Sequence, residues 1–542
     1  MEIANPRRAL FRKRTEVGYK KELSIIQKIK QFKENIYLDN DLLFILTYMA
    51  SIATAQISRD KIFEKTSEKV EYAPSIYFRK IRDLAQKWHY DYATACELIA
   101  YKIKHENLRK LLHRFSNAIS SGEPDREFLE KEWKVFKTIR KDEYERDLES
   151  LRKWSDAYTA LMVSTSLISI IILLSVIIYN VGDPAKTLFT IAGLVFIISL
   201  FGVGFLFKSA PKDLKTHNFS IKSNEQVLIH KWLPISVFFS FLSVISITIV
   251  PVFIRPEMFT FGNIDLKGLG LVIAGLIMLP VGLLGRKDDI NVSKRDESYV
   301  AFIRNLGAIV SGAGITITEA LTKIDQKNLG ELKTLSYQLY KRLSLGLDQQ
   351  LSWRRFIGES GSNLIHKLTS VFVDAIDLGG DAEVIGEIVS SSSLELVLLR
   401  KKRELISSGF ISLIIPLHAA MTSLLVFISR ILTIFSELIR TLFSKYHISG
   451  EKLKEIPGGV AGMNLGIFSG VPLELLAQYT VIVIVLVTIA NTLAAKVVKG
   501  GANYMILYFG SILFIISGIV MVVVPPVVDM AFSFPSFLEG GV

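Results

Sequence analysis

His418 is the one acidic or basic side chain that falls inside a long apolar run of this chain. An imidazole there could relay protons across a membrane or simply hold a hydrogen bond. The other strongly polar residues in the interior of such runs are Gln478 and Asn491; none of the runs holds Asp, Glu, Lys or Arg. A relay needs an acidic partner, so His418 is expected to be a hydrogen-bonded packing residue. His89-Tyr90-Asp91 and His105-Glu106 contain metal-ligating types, but neither has a second pair at ligand spacing, and exposed helix positions are expected for both. Asp288-Asp289 follow an apolar run and stand beside Arg286 and Lys287, which reads as a solvated cluster at a membrane edge. Cys96 is the single cysteine, which excludes an intramolecular disulfide and any CxxC site; the apolar stretch 93–100 predicts a buried packing role for it. The patterns GxxxxGK[ST], HExxH and GxSxG do not occur, so no P-loop, zinc-protease or hydrolase chemistry is expected. The chain reads as a non-enzyme with no cofactor and no metal.

The elements around these residues are membrane spans. Half of the 542 residues are hydrophobic, too many for a soluble protein of this length. Crossing a hydrocarbon core about 30 Å thick takes roughly 20 apolar helical residues. Seven segments qualify: 158–179, 187–207, 232–254, 268–285, 405–429, 475–495 and 503–528, of which 268–285 is the shortest. The fold class is therefore all-α, a polytopic membrane protein. Residues 1–40 are basic and polar, with Arg7, Arg8, Arg12, Lys13 and Arg14 clustered, and contain no apolar core of a signal peptide. A short amphipathic helix is expected at Ile25, Ile26, Ile29 and Phe32.

Outside the spans the chain repeats itself. Phe44, Ile45, Ala50, Ala55, Ile57 and Ser58 match Phe302, Ile303, Ala308, Ala313, Ile315 and Thr316 at an offset of 258. Leu111, Phe115, Ala118, Ile119 and Gly122 match Leu368, Phe372, Ala375, Ile376 and Gly379 at an offset of 257. Helical periodicity predicts helices over 42–55, 58–68, 75–88, 92–104 and 107–120 in the first module. In the second it predicts 299–311, 316–324, 329–345, 349–359 and 364–378. Gly122 and Gly379 read as helix stops, and Asp125 and Asp381 as the N-caps of further helices leading to the bilayer. The domain organisation is then a basic segment 1–40, a first module with its linking helix 41–153, and a four-span block 154–285. A second module 286–404 comes next, then a three-span block 405–528 with an outer segment 430–474, and an outer tail 529–542. Ile431, Ile434, Phe435, Leu438 and Leu442 share a face, which predicts either an interfacial helix or an extension of the fifth span. Gly458-Gly459 and Pro472 break up the remainder of that outer segment.

The net charge of +12 concentrates in the regions that share a side with the N-terminus. Lys208, Lys212, Lys215, Lys222 and Lys231 fall in one short loop there, which places the N-terminus in the cytoplasm and the C-terminus outside. The surplus suits anionic lipid headgroups or an acidic partner. Without a basic, aromatic-studded face, no nucleic acid is expected.

Duplicated helical modules, each flowing into apolar segments, with blocks 44–58 and 302–316 as first helix and turn and 119–122 and 376–380 as a glycine-containing turn, resemble the type II secretion F family. Four spans between the modules and three after the second are similar to its archaeal branch, the platforms of the archaellum and of archaeal type IV pili. The resemblance implies a platform at the base of a filament, archaellum favoured, with a hexameric secretion ATPase acting on the modules. It implies archaellin- or pilin-like subunits as further partners, and a homodimer in contact with membrane lipids. Candidate coupling residues are Gly122, Asp125, Arg152 and Lys153 in the first repeat, and Gly379, Gly380, Asp381, Lys401, Lys402 and Arg403 in the second. The alternative reading is a polytopic membrane transporter with cytoplasmic regulatory domains.

Overall fold

Helix starts and stops fall at repeat-equivalent positions. Ser58 and Thr316 each accept a hydrogen bond from the backbone N–H three residues on, as do Asp91 and Asp348. His105 and Ser362 cap the last helix of each module in the same way. The left-handed positions correspond too: Gln56 (φ 52°) with Gly314, His89 (φ 54°) with Gly346, and Gly122 (φ 74°) with Gly379. Among the described residues, Gln56 and His89 are the non-glycine residues with positive φ, and both have glycine at the counterpart position. The duplication is thus written into the backbone as well as the side chains.

The computed structural model describes residues 25–179, 183–217, 219–253, 260–261, 264–445 and 473–532. The basic cluster at 7–14, the breaks at Gly458-Gly459 and Pro472, and the end of the tail lie outside these. Two compact units result: residues to 49 with 58–132, and 50–57 with 133 onward. In the first unit, helices Arg59–Glu68, Ser75–Trp88, Tyr92–Lys102 and Glu106–Ser121 close around an aromatic core. Phe63 stacks on Phe115 at 5.3 Å and Phe115 on Phe128 at 4.8 Å. Cys96 is buried there, as expected.

Seven described helices are long and apolar enough to cross a membrane. Several do not stop at its edge. The segment expected as a separate helix at 299–311 is the end of one 45-residue helix, Leu269–Ala313, which contains the fourth span. The first linking helix runs unbroken from Asp125 to Tyr179, and the second from Ala382 to Lys445, 64 residues or about 96 Å. The apolar face from Ile431 onward therefore extends the fifth span instead of lying as a separate interfacial helix. Positions 154, 286 and 405, expected as boundaries, fall inside continuous helices. Two smaller differences concern helix ends. The amphipathic segment at Ile25 is part of one helix, Ile25–Ala53. The helix expected at 329–345 divides into a 3-10 turn, Gln326–Leu332, and a helix, Lys333–Ser344, because Gly330 takes a backbone conformation no helix accommodates. A two-residue ladder, Thr260–Phe261 with Ile264–Asp265, sits between the third and fourth spans.

The shortest span by hydropathy packs backbone against backbone with its neighbours. Gly268, Gly275 and Gly282, seven residues apart, lie against the antiparallel helix Met505–Ala531 at Gly518, Ser511 and Tyr508. On another face, Ser236, Ser240 and Ser243 donate to the carbonyls of Ile277, Ala274 and Gly270 at 2.9–3.0 Å. Small residues let helices approach where no hydrophobic effect drives them together. These glycines dilute the apolar signal of the segment for that reason. A Cβ on Gly275 would stand 2.6 Å from Ile515 Cγ1 and 2.8 Å from the Ser511 carbonyl oxygen. We expect Gly275→Leu to cost about 1–3 kcal/mol, measured as a lower thermal midpoint in detergent; an unchanged midpoint would contradict this close approach.

Candidate functional site

The two linking helices run side by side in the same direction, and each meets its own counterpart. Trp133 Nε1 donates to Ser392 Oγ at 2.9 Å and Lys137 Nζ to Ser391 Oγ at 2.7 Å. One turn on, Lys141 stands 3.9 Å from Glu395, and Lys402 pairs with Glu145. Tyr144 and Leu148 pack on Leu399, and the Tyr158 and Phe410 rings stand 6.1 Å apart at the start of the spans. The sequence separations in these pairs stay close to the repeat offset.

Just before the membrane the second linking helix carries a largely buried arginine, its side chain 16% exposed. Arg400 grips Asp213 through Nε at 2.6 Å and Nη2 at 3.1 Å, and gives Nη1 to Asp296 at 2.6 Å. Asp213 comes from the loop between the second and third spans, Asp296 from helix Leu269–Ala313 beyond its span. Asp296 also accepts from the Ser362 hydroxyl, the cap of the last helix of the second module. One guanidinium thus joins three elements, and a fourth through Ser362. Burial pushes the Asp296 carboxyl up to about 6 in spite of Arg400. Burial pushes Asp213 the same way, but the Arg400 charge and its bonds hold that carboxyl below the usual range.

Around this centre lies a cavity of about 60 Å³, bordered by Lys215, Asp289, Asp296, Arg400, Arg403 and Gly501, with room for a few waters. Lys215 Nζ bonds Asp289 at 2.7 Å. Arg403 is buried and spends its donors on the carbonyls of Pro211, Val497 and Val498, capping the sixth span. The Gly500-Gly501 turn (φ 72° at both) makes this possible, since a Cβ on Gly500 would sit 2.4 Å from Arg403 Cζ. The 211–222 loop is pinned to the second module by the Asn363 N–H on the Lys215 carbonyl at 3.0 Å and by His217 Nε2 against the Gly358 carbonyl at 3.1 Å.

The residues singled out from sequence separate into two groups. Gly122 and Gly379 close their helices at positive φ, and Asp381 caps the second linking helix through the Glu383 N–H at 3.0 Å. Gly380 lies against Thr54 and Ile385 with no room for a Cβ. Asp125 is the first helical residue rather than the one before it, and its carboxylate is held by Arg59 at 2.9 and 3.1 Å. Arg152 and Lys153 are exposed, Lys153 pairing with Glu149 at 2.8 Å. Of the three adjacent cations, Lys401 and Lys402 form exposed pairs with Glu297 and Glu145, while Arg403 belongs to the buried junction. Asp288-Asp289 are not a solvated cluster. Asp288 is fully buried and accepts from Ser223, Gln226 and Tyr504, and Asp289 is taken by Lys215. Arg400, Asp213, Asp296 and Lys215 escape a sequence reading because their partners are 66 to 187 residues away. Gly500-Gly501 beside a cation was the available signal.

Within the spans, His418 is the packing residue expected: its ring nitrogens meet Ser517 Oγ at 2.8 Å and Asn491 Nδ2 at 3.0 Å. Asn491 Oδ1 accepts from Tyr158 at 2.9 Å, so the network ties the first, fifth, sixth and seventh spans. On the far side, Arg430 and Asp529 form a two-bond ion pair at 2.7 and 2.9 Å.

Residues 45–173 and 302–430 match the family of the type II secretion system (T2SS), protein F. Similar relatives are two proteins called Flagella accessory protein J. That of Methanocaldococcus jannaschii is 27% identical over 68% of this chain and 65% of its own length. That of Methanococcus voltae is 24% identical over 60% of this chain and 58% of its own length. The matches thus span less than two thirds of either relative. No solved structure matches the chain.

Removing Arg400 leaves the buried Asp296 carboxylate uncompensated, so Arg400→Met is expected to cost about 2–4 kcal/mol, toward the lower end for buried pairs because Arg400 and Asp213 are partly exposed. Combining it with Asp213→Asn and Asp296→Asn should recover much of that, both read as thermal midpoints in detergent. The raised Asp296 carboxyl also makes stability depend on pH. A carboxyl with a raised folded-state pKa binds its proton more tightly when folded, so the stability that Asp296 contributes is full below its ordinary value of 3.8 and is lost as pH rises through about 6. Midpoints scanned from pH 4.5 to 7.5 should fall less steeply with rising pH in Asp296→Asn than in the unmodified protein; equal slopes would contradict the assignment.

Proposed function

We propose that this chain, which belongs to the type II secretion system protein F family and carries its domain twice, is the membrane platform at the base of an archaeal type IV pilus-like filament. The relatives' name, Flagella accessory protein J, favours the archaellum. In this reading both modules face the cytoplasm, with the N-terminus inside and the C-terminus outside. A hexameric secretion ATPase works on the modules, and archaellin- or pilin-like subunits assemble from the surrounding bilayer. The chain performs no chemistry itself; it receives movement and passes it to the spans.

The observation that carries this reading is mechanical. Each linking helix runs unbroken into a span, and the two are bonded to each other at repeat-equivalent positions before the membrane. Helix Leu269–Ala313 supplies a third continuous route, joined to the second linking helix through Arg400. Displacement of the second module would reach the loop at Asp213 and the turn at Gly500 as well as the fifth span. Gly379, Gly380 and Asp381 set the angle at which the second linking helix leaves its module, and Gly122 and Asp125 do so for the first. Arg152, Lys153, Lys401 and Lys402 lie on exposed linking-helix surface, suited to lipid headgroups or a partner. The pairing that a homodimer would provide between linking helices already exists inside one chain.

The test is reconstitution with the secretion ATPase of the same organism. The chain in nanodiscs should retain the hexamer, and in liposomes it should take up no solute; solute uptake without ATPase retention would favour a transporter. Coupling is examined at the Glu145–Lys402 pair, which is exposed and worth little to stability. Glu145→Lys and Lys402→Glu should each impair filament assembly while ATPase binding persists, and the double exchange should restore it.

A further inference from the structure

The turn between the third and fourth helices of each module is apolar and exposed in both copies. In the first, Trp88 and Tyr90 flank left-handed His89; in the second, Leu345 and Leu347 flank left-handed Gly346, each at an offset of 257. The four side chains are 71%, 44%, 69% and 51% exposed. Asp91 and Asp348 then cap the following helix in the same manner. The copies have otherwise diverged widely, and a turn needs only its left-handed residue and its cap, so an apolar residue on each side of the turn is not required by the fold. In such a turn the apolar residues ordinarily fold back on the helix; here all four are left exposed.

We infer that these two turns are docking knobs for one soluble, oligomeric protein that offers an apolar pocket more than once, with an acidic rim where it meets the second turn. This rests on the platform reading and specifies the surface through which that platform is gripped. Position argues against the bilayer as occupant. Helix Gln349–Ser360 has its C-terminal end at the membrane junction, where the Gly358 carbonyl meets His217, so Leu347 lies about 18 Å away along it. Its other end is held beside Asp377 by Gln349 at 3.3 Å, and nearby Asp381 bonds Ser311 at 3.2 Å. Ser311 is about 39 Å beyond the span end at Gly285 along its helix. The Leu345–Leu347 turn is therefore at the membrane-distal end of its module. Charge specifies the partner's rim at the second turn: Lys341, Arg354 and Arg355 are exposed around it, with Leu351 completing the apolar surface, whereas Glu97 stands at the place of Arg354 in the first copy. Two knobs in one chain call for a partner with repeated pockets, since linked sites bind far more tightly together than singly.

The experiment uses the full chain in nanodiscs and the hexameric secretion ATPase of the same organism as probe. Trp88→Gln with Tyr90→Gln, and Leu345→Gln with Leu347→Gln, should each weaken binding about tenfold or more, as truncation of apolar anchors does. All four together should weaken it further, and Arg354→Glu with Arg355→Glu should reduce binding most at low salt. Binding by the fourfold variant equal to the unmodified chain would overturn the knobs; failure of the unmodified chain to bind would instead overturn the platform reading. A Leu345→Cys chain carrying an environment-sensitive fluorophore gives a readout that does not depend on those variants, because Cys96 is buried. A blue shift on adding the ATPase supports docking there, and quenching by brominated lipid in its absence would overturn it.

Discussion

Several elements around the second module converge on one largely buried positive charge. Arg400 cannot leave water without compensation, and the compensating groups come from elements that are far apart in sequence: Asp213 in an interspan loop and Asp296 on a helix emerging from the fourth span. Charges taken from water cost several kcal/mol each, and a well-packed apolar trio would serve stability as well. What the charges contribute is conditional geometry. An apolar patch tolerates sliding, whereas a guanidinium shared by two carboxylates has few arrangements that satisfy all its donors. The second module, the loop and the linking helix must therefore be in place together or not at all.

The membrane part supplies the complementary constraint. Glycines at 268, 275 and 282 and serines at 236, 240 and 243 draw the fourth span against its neighbours until backbone meets backbone. His418, Asn491, Tyr158 and Ser517 then satisfy one another in the interior, where a lone polar group would be costly. A bundle knit in this way moves as a body. Three of its helices continue far beyond the bilayer without a break.

The architecture was largely legible in the sequence, and the site was largely not. Spans show in runs of apolar residues, and the repeat shows in Phe44 and Phe302, Phe115 and Phe372, because burial of those side chains is a local requirement. The caps Thr316 and Asp381 and the stops Gly122 and Gly379 are also local chemistry. Asp288 and Asp289 read as solvated because two basic neighbours adjoin them, yet their partners arrive from Ser223, Tyr504 and Lys215. Charge alone does not distinguish a solvated aspartate from a buried one; the distinction lies in what tertiary packing brings opposite it. Continuity was hidden for a similar reason. A change from apolar to charged residues marks the membrane surface and says nothing of whether the helix ends there, as the unbroken passage from Gly285 to Arg286 illustrates.

The two copies use one device differently. In the first module Asp39, on the opening helix, takes the capping His105 and Asn107 of the closing helix, at 3.2 and 3.0 Å. In the second, Asp296 takes the capping Ser362 in the corresponding role and, with its other oxygen, Arg400. The added arginine converts a contact within a module into a junction between module and membrane. Asp39 remains partly exposed, whereas Asp296 is buried. A fold that needed only two supports would have no cause to bury a charge in one of them. The asymmetry lies in what each aspartate joins: Asp39 ties two helices within one module, whereas Asp296 ties a module to the linking helix that enters the fifth span.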